Sequence, residues 1–180
     1  MRMPQRTASG LTLVEICLAL GIAGFCLIAV FGLLPVGINT NQSAVEQTAA
    51  ASIATMVAAD LQMKKVAPDG EESEADQRNL SPRFGFTIPV AGEPPSAAPQ
   101  TIYMGEDLSP TGSLGSGPTE TSRYRVSVGF TPPEEASSKW TTSARILVTW
   151  PAASDNKPES WPSKHIGSFE AVIAFTRDSR

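Results

Sequence analysis

SGLTLVEICLAL, residues 9–20, decides the fold together with the apolar run that it opens, ICLALGIAGFCLIAVFGLL, residues 16–34. The run contains 19 residues without a charge, a length that suits one membrane-spanning helix. Arg2 and Arg6 precede the run, so the positive-inside rule predicts a cytoplasmic N-terminus and an exported remainder of the chain. Pro35 follows the run, and we expect it to kink or weaken the helix because it removes one backbone hydrogen bond.

The helical pattern continues beyond Pro35. Residues 39–65 contain no Gly or Pro, and apolar side chains recur there at four-residue spacing, with Met56 alongside: Val45, Ala49, Ile53, Val57 and Leu61. This spacing predicts that residues 39–66 form an amphipathic helix that lies on an apolar surface. APDG, residues 67–70, should end the helix. A continuous helix over residues 11–66 would be about 84 Å long.

Period-two patterns and Pro-, Gly- and Ser-rich loops replace the helical pattern after residue 66. Three segments predict half-buried strands: YRVSVGF (124–130), RILVTW (145–150) and SFEAVIAF (168–175). Two weaker strand candidates are RFGFTIPV (83–90), which Pro89 limits to a sheet edge, and QTIYMG (100–105). The predicted fold class is α+β, with a long N-terminal helix packed on a small antiparallel sheet. The expected segments are a leader (1–10), a transmembrane helix (11–38), an amphipathic half (39–66) and a sheet domain (67–180).

Charge is divided unevenly along the chain. Residues 1–10 carry +2, whereas the rest, with 12 basic and 18 acidic residues, carries −6. An acidic exported part lacks the clustered Lys and Arg of a nucleic-acid footprint, which argues against such a partner. Cys17 and Cys26 lie about 13.5 Å apart along a helix, too far for an intrachain disulfide. We expect both thiols to face lipid or a neighbouring helix.

Gly10 is a small residue at the start of the apolar run, whereas a secretory signal peptide is cleaved after its apolar region. Cleavage after Gly10 would remove the basic leader and leave the hydrophobic helix on a chain that begins at Leu11. GLTLVE, residues 10–15, resembles the type III signal of type IV prepilins and type II secretion pseudopilins. VFGLLPVGI and ILVTWP are most similar to the minor pseudopilins, and the chain resembles the Verru_Chthon cassette proteins more weakly.

The resemblance implies a pilin-like fold and processing by a membrane prepilin peptidase, which would cleave between Gly10 and Leu11 and N-methylate Leu11. It also implies other pilin-like subunits, an assembly ATPase and a platform protein as partners. Gly24 matches a small residue that is common in the helices of this family. Pro35 lies about one helical turn later than the proline of the major pilins, which sets the chain apart from the major fibre-forming class.

Glu15 is the only charged residue between Arg6 and Glu46. A lone carboxylate in hydrocarbon costs at least a few kcal/mol, so such residues usually have a partner or a function. In a filament of staggered helices, Glu15 of one subunit would reach the cationic Leu11 amine of its neighbour and neutralise it. We therefore expect Glu15, with Thr12 of the same motif, to set the register of assembly. The alternative is that Glu15 lies at the headgroup level of a simple signal anchor.

The exported part offers no pattern that predicts catalysis, a cofactor or a metal centre. His165 is the only histidine and has no nearby cysteine, and the chain contains no G-x-S-x-G, so we interpret His165 as a surface-loop residue. DGEESEAD, residues 69–76, lacks EF-hand spacing, which favours a solvated loop over a calcium site. Trp150 is expected in the core, and Trp161 either contacts a partner or folds over the sheet edge.

These observations predict a non-enzymatic subunit of a type IV pilus-like or type II secretion pseudopilus filament. The subunit would cross the inner membrane once and place its C-terminal domain in the periplasm. The alternative is a bitopic, signal-anchored protein whose exported binding or enzymatic domain does not polymerise. The sequence does not separate a secretion pseudopilin from a minor pilin that primes a surface pilus.

Overall fold

The computed structural model describes residues 12–63, 80–89, 97–132 and 139–178. One helix, α1 (Leu13–Gln62), precedes four strands: β1 (Gln100–Met104), β2 (Tyr124–Thr131), β3 (Lys139–Trp150) and β4 (Gly167–Asp178). The protein has the predicted α+β fold, in which the long N-terminal helix packs on a four-stranded antiparallel sheet. The boundary between two compact units, Met1–Ala44 and Val45–Arg180, falls within α1.

The first part of α1 is a continuous apolar helix. Its large hydrophobic side chains are exposed from Leu13 to Ile38, as expected for a segment whose surroundings are lipid or other helices. The helix runs through Pro35. A missing N–H removes one hydrogen bond of the helical ladder, while the turns on both sides keep theirs, so the proline does not end α1.

The second part of α1 packs against the sheet. Three residues of the predicted stripe, Ile53, Val57 and Leu61, have no exposed surface, and full burial of such a side chain is worth about 1.5–3 kcal/mol. Ala49 and Met56 pack against the same core and are partly buried. The prediction is wrong for Val45, whose side chain is 60% exposed. Contact with the core begins one turn later along the helix than the periodicity suggests.

The sheet is an antiparallel meander in which the strands follow chain order. The three strong strand predictions and QTIYMG are confirmed, and β3 and β4 extend over 12 residues each. The register places Val126 of β2 between Ile102 of β1 and Val148 of β3. These side chains form the face that α1 covers, and the predicted core residue Trp150 is 6% exposed at the end of β3.

Residues 83–90 do not form the predicted edge strand. A turn occupies residues 82–84, Gly85 has a φ of +73°, and the only ladder contact in the described residues 80–89 is an isolated bridge between Leu80 and Thr87. The alternation that suggested a strand comes from Phe84, Phe86 and Ile88, which are all buried in the core. A tight turn that inserts three apolar side chains into a core produces the same pattern as a short strand.

Helix α1 ends at Gln62 and a bend follows at Met63. The stop signal predicted at residues 67–70 lies outside the described residues. Asp60, in the last turn of α1, is 3% exposed. Its carboxylate accepts hydrogen bonds from the backbone amides of Arg83 (2.8 Å) and Phe84 (3.1 Å). A charged side chain at the helix end therefore fixes the turn over residues 82–84.

Candidate functional site

The start of α1 is a capping box formed by Thr12 and Glu15. The Glu15 Oε2 atom accepts hydrogen bonds from the Thr12 backbone amide and from the Thr12 hydroxyl, both at 3.0 Å. In return, the Glu15 backbone amide donates to the Thr12 Oγ1 atom at 3.4 Å. This reciprocal arrangement satisfies amide groups that have no partner inside the helix. Glu15 thus has a local structural role in addition to the assembly role expected of a lone carboxylate in a membrane helix.

The capping box was readable in the sequence as T-L-V-E, because Thr followed three residues later by Glu before an apolar run is the usual signature. Both side-chain hydrogen bonds of the carboxylate use Oε2. Within the described residues no hydrogen bond occupies Oε1, so that oxygen is available to a second group. The predicted cleavage site at Gly10 and Leu11 lies outside the described residues.

The exposed surface that follows Glu15 is almost entirely apolar. Helix α1 is long and apolar enough to cross a membrane, and it lies near the N-terminus. Cys17 and Cys26 are free, exposed thiols on this surface, as expected. At Gly24, an added Cβ atom would have no neighbour within 4 Å. The helix surface is therefore locally flat at Gly24, and no close contact within the single chain requires a glycine there.

A second organised region lies on the face of the sheet opposite α1. The covering loop, residues 151–163, passes over β1 and β2 and buries polar side chains that alternate with the core residues. Arg125 of β2 is 1% exposed. Its guanidinium donates to the backbone carbonyls of Asp155 (3.2 Å), Lys157 (2.8 Å) and Ser160. Simple alternation along β2 predicts that the Arg125 side chain is exposed to solvent, so the sequence did not predict its burial.

Asp155 stabilises the covering loop by accepting hydrogen bonds from the backbone amides of that loop. Its carboxylate lies 3.5 Å from the Arg125 Nη1 atom and accepts hydrogen bonds from the backbone amides of Ser163 (2.9 Å) and Lys157 (3.3 Å). The hydrogen bond from Ser163 is the main reason that the pKa of Asp155 lies below its usual value. Tyr103 stands opposite Arg125 in the β1–β2 register, and burial raises the pKa of its phenol. Arg125 and Asp155 therefore tie the covering loop to the sheet, while the buried Tyr103 hydroxyl has no hydrogen-bond partner among the described residues.

Trp161 belongs to the covering loop and packs on the sheet. Its ring lies under the Arg145 guanidinium, with 4.7 Å between the Arg145 Cζ atom and the ring centroid. A Cβ atom added at Gly129 of β2 would lie 2.6 Å from the same ring. Trp161 is therefore folded over the sheet, which favours the structural alternative for this residue. His165 is exposed in the loop before β4, as expected, and the side chain of Trp140 lies outside the described residues.

A surface cleft of about 760 Å³ lies beside the start of β2. Glu106, Asp107 and Glu120 lie at its border with Arg123, whose guanidinium pairs with Glu46 of α1. Within the described ranges, no group of three His, Cys, Asp or Glu side chains is placed to hold a metal ion. The acidic segment at residues 69–76, considered above for calcium, lies outside those ranges.

Comparisons with known proteins add no relative. No protein-family model matches the chain, and neither a curated protein nor a solved structure matches it.

Proposed function

We propose that this protein is a membrane-anchored subunit of a type IV pilus-like or type II secretion pseudopilus filament, and not an enzyme. The observation that carries the proposal is the exposed apolar first half of α1, which has Glu15 as its only charge and follows directly on the Gly10–Leu11 motif. Exposed apolar patches of this extent mark membrane or protein contacts. Membrane insertion covers this surface before assembly, and neighbouring helices cover it afterwards.

Glu15 would determine how two subunits align. After cleavage between Gly10 and Leu11, the Leu11 amine carries a positive charge in a low-dielectric environment. The Glu15 carboxylate of a neighbouring subunit neutralises it, and each charge removes the penalty of leaving the other unpaired. Because Oε2 is held by Thr12, the side chain is already oriented while Oε1 remains available. The contact joins different surfaces of two subunits, so it propagates as a helical filament.

The proposed topology follows from the charges at the N-terminus. Arg2 and Arg6 would keep the leader in the cytoplasm, α1 would cross the inner membrane, and the Val45–Arg180 unit would lie in the periplasm. A prepilin peptidase would process and methylate the chain at Leu11. An assembly ATPase and a platform protein would drive extraction of α1 from the membrane into the filament.

The alternative is a bitopic, signal-anchored protein that does not polymerise, and the capping box favours it. Thr12 and Glu15 satisfy each other locally, so the carboxylate has a reason to occupy this position without any second subunit. In that case the leader stays attached and the Val45–Arg180 unit acts alone.

The intact mass of the protein from its native membrane, with N-terminal peptide mapping, tests the proposal first. The filament proposal expects a chain that begins at Leu11 and carries one added methyl group. A chain that still begins at Met1 would exclude prepilin processing and leave the signal-anchored alternative.

A Glu15→Gln variant separates assembly from capping. Glutamine at this position keeps an oxygen that accepts the Thr12 hydrogen bonds, and it preserves the capping box while removing the charge. We expect Glu15→Gln to be inserted and processed but to give no ladder of crosslinked oligomers larger than a dimer, and Glu15→Ala to behave in the same way. Thr12→Ala removes the cap and keeps the charge, so we expect this variant to form the larger oligomers, but less efficiently than the wild type because Thr12 no longer orients the carboxylate. A normal ladder of these larger oligomers from Glu15→Gln would refute the charge-pair mechanism.

A further inference from the structure

The two edges of the sheet differ in how they are covered. Beyond β1, the Thr111 amide donates to the Tyr103 carbonyl (2.9 Å) and the Gly115 amide donates to the Thr101 carbonyl (2.8 Å). An isolated bridge joins Met104 to Pro110 beside them. The loop over residues 110–115 therefore occupies the hydrogen-bonding groups of β1, and this edge cannot accept another strand.

The opposite edge is β4, which pairs with β3 over its whole length of 12 residues. Within the described part of the chain no strand or bridge lies on the other side of β4. Proteins usually protect a long edge with lysine, proline, an inward charge or a bulge. Residues 171–176, AVIAFT, contain no charge and no proline.

The side chains at this edge are apolar on both faces. Val172, on the face away from α1, is 67% exposed, and Ala174 beside it is also exposed. On the other face, Ala171 and Ile173 pack against the core but are only partly buried. Glu170, the nearest carboxylate, forms a bidentate pair with Arg145 of β3 (2.8 and 3.2 Å), so its charge is engaged within the sheet.

We propose that residues 170–174 of β4 pair in antiparallel fashion with the same residues of a second copy of this chain. The partner strand has to be apolar on both faces and must bring no unpaired charge to the edge, and β4 itself meets both requirements because Arg145 neutralises Glu170. An antiparallel pair centred near Val172 brings the two Val172 side chains together on one face and the partly buried Ala171 and Ile173 rows together on the other. Since the loop over residues 110–115 closes the β1 edge, β4 is the sheet edge that the described part of the chain leaves open to a second copy.

This pairing goes beyond the proposed filament contact and uses a different surface. A contact between two identical strands is isologous and closes as a dimer, whereas the Glu15–Leu11 contact propagates. The two interactions are therefore separable by substitutions on α1 and on β4.

Thiol crosslinking of the full-length chain in mild detergent tests the pairing. In a background of Cys17→Ser and Cys26→Ser, the only thiol is supplied by Val172→Cys or, as a control, by Thr121→Cys on an exposed loop. A short bifunctional thiol reagent should link Val172→Cys into dimers and leave Thr121→Cys largely monomeric. Equal crosslinking of both variants would overturn the proposal.

Sedimentation of the chain in detergent provides a second measurement. Val172→Lys places like charges opposite each other in the pair, and we expect a dissociation constant at least about tenfold higher. Thr121→Lys, at an exposed position of the loop before β2, should leave the dimer intact. The dimer should also persist with Glu15→Gln, which disables only the filament contact. A monomeric wild-type chain, a dimer that survives Val172→Lys, or a dimer lost with Glu15→Gln would each overturn the β4 pairing.

Discussion

Two arginines of the sheet each pair with a carboxylate, one in a buried and one in an exposed environment, so substitutions at the two positions compare the energies of the two arginines. Arg125 is 1% exposed and serves three backbone carbonyls of the covering loop as well as Asp155. Arg145 pairs with Glu170 while both side chains are about half exposed, at 49% and 47%. Replacing each arginine with methionine keeps the aliphatic stem and removes the charge.

We expect Arg125→Met to reduce the free energy of unfolding by about 3–5 kcal/mol, since it leaves a carboxylate and several carbonyls without their buried donor. Arg145→Met should cost about 0–1 kcal/mol, the usual value for an exposed pair, with up to about 1 kcal/mol more from the lost contact with the Trp161 ring. Urea unfolding of the chain in mild detergent, followed by tryptophan fluorescence, measures both values.

A second readout places the effect in the covering loop. Hydrogen exchange of the Ser163 and Lys157 amides should become faster in Arg125→Met, because both amides donate to the carboxylate that Arg125 faces. Unfolding energies that agree within error for Arg125→Met and Arg145→Met would refute the conclusion that the buried guanidinium anchors the loop.

Three further predictions concern the same unit. Gly129→Ala should cost about 1–3 kcal/mol by overpacking against the Trp161 ring, and nearly nothing when Trp161→Ala is already present; equal costs in both backgrounds would show that the ring is not the obstacle. Asp60→Ala should cost about 2–4 kcal/mol, because two backbone amides lose a charged acceptor, and Asp60→Asn should cost less in the same urea assay. The pKa of Asp155 is lower in the folded protein, so its contribution to stability is present above its unfolded pKa of about 4 and is lost as the pH falls through the folded pKa. Urea midpoints between pH 5 and pH 2 should therefore fall less steeply in Asp155→Asn than in the wild type, and parallel curves would contradict the assignment.

The sequence predicted the helix and strands in which one face packs in the core, because such a face leaves a periodic pattern of apolar residues. The buried residues Ile53, Val57 and Leu61 repeat at helical spacing, and β2 alternates between core and other positions, so local periodicity was enough. The failure at Val45 concerns where packing on the sheet begins, which depends on the position of the sheet and not on the helix itself.

The missed features depend on contacts between distant segments. Arg125 and Asp60 are charged residues that local pattern assigns to solvent, yet a loop 30 residues away in one case and a turn 23 residues away in the other bury them. Phe84 and Phe86 alternate as a strand does, but the chain between them turns around Gly85. A short window of sequence does not show which distant segment packs over a given face of a helix or strand.

Glu15 shows how two explanations of one residue are distinguished. The capping box accounts for a carboxylate at the third helical position, since Glu or Gln there receives the amide at the helix start. It does not account for the charge, because a neutral glutamine would cap equally well and would cost less at the edge of a membrane. The hydrogen bonds also use a single oxygen and hold the side chain in place, which reduces the entropy lost when a second group binds. The cap therefore explains the position of Glu15, and a cationic partner such as the Leu11 amine of a neighbouring subunit is what would explain its charge.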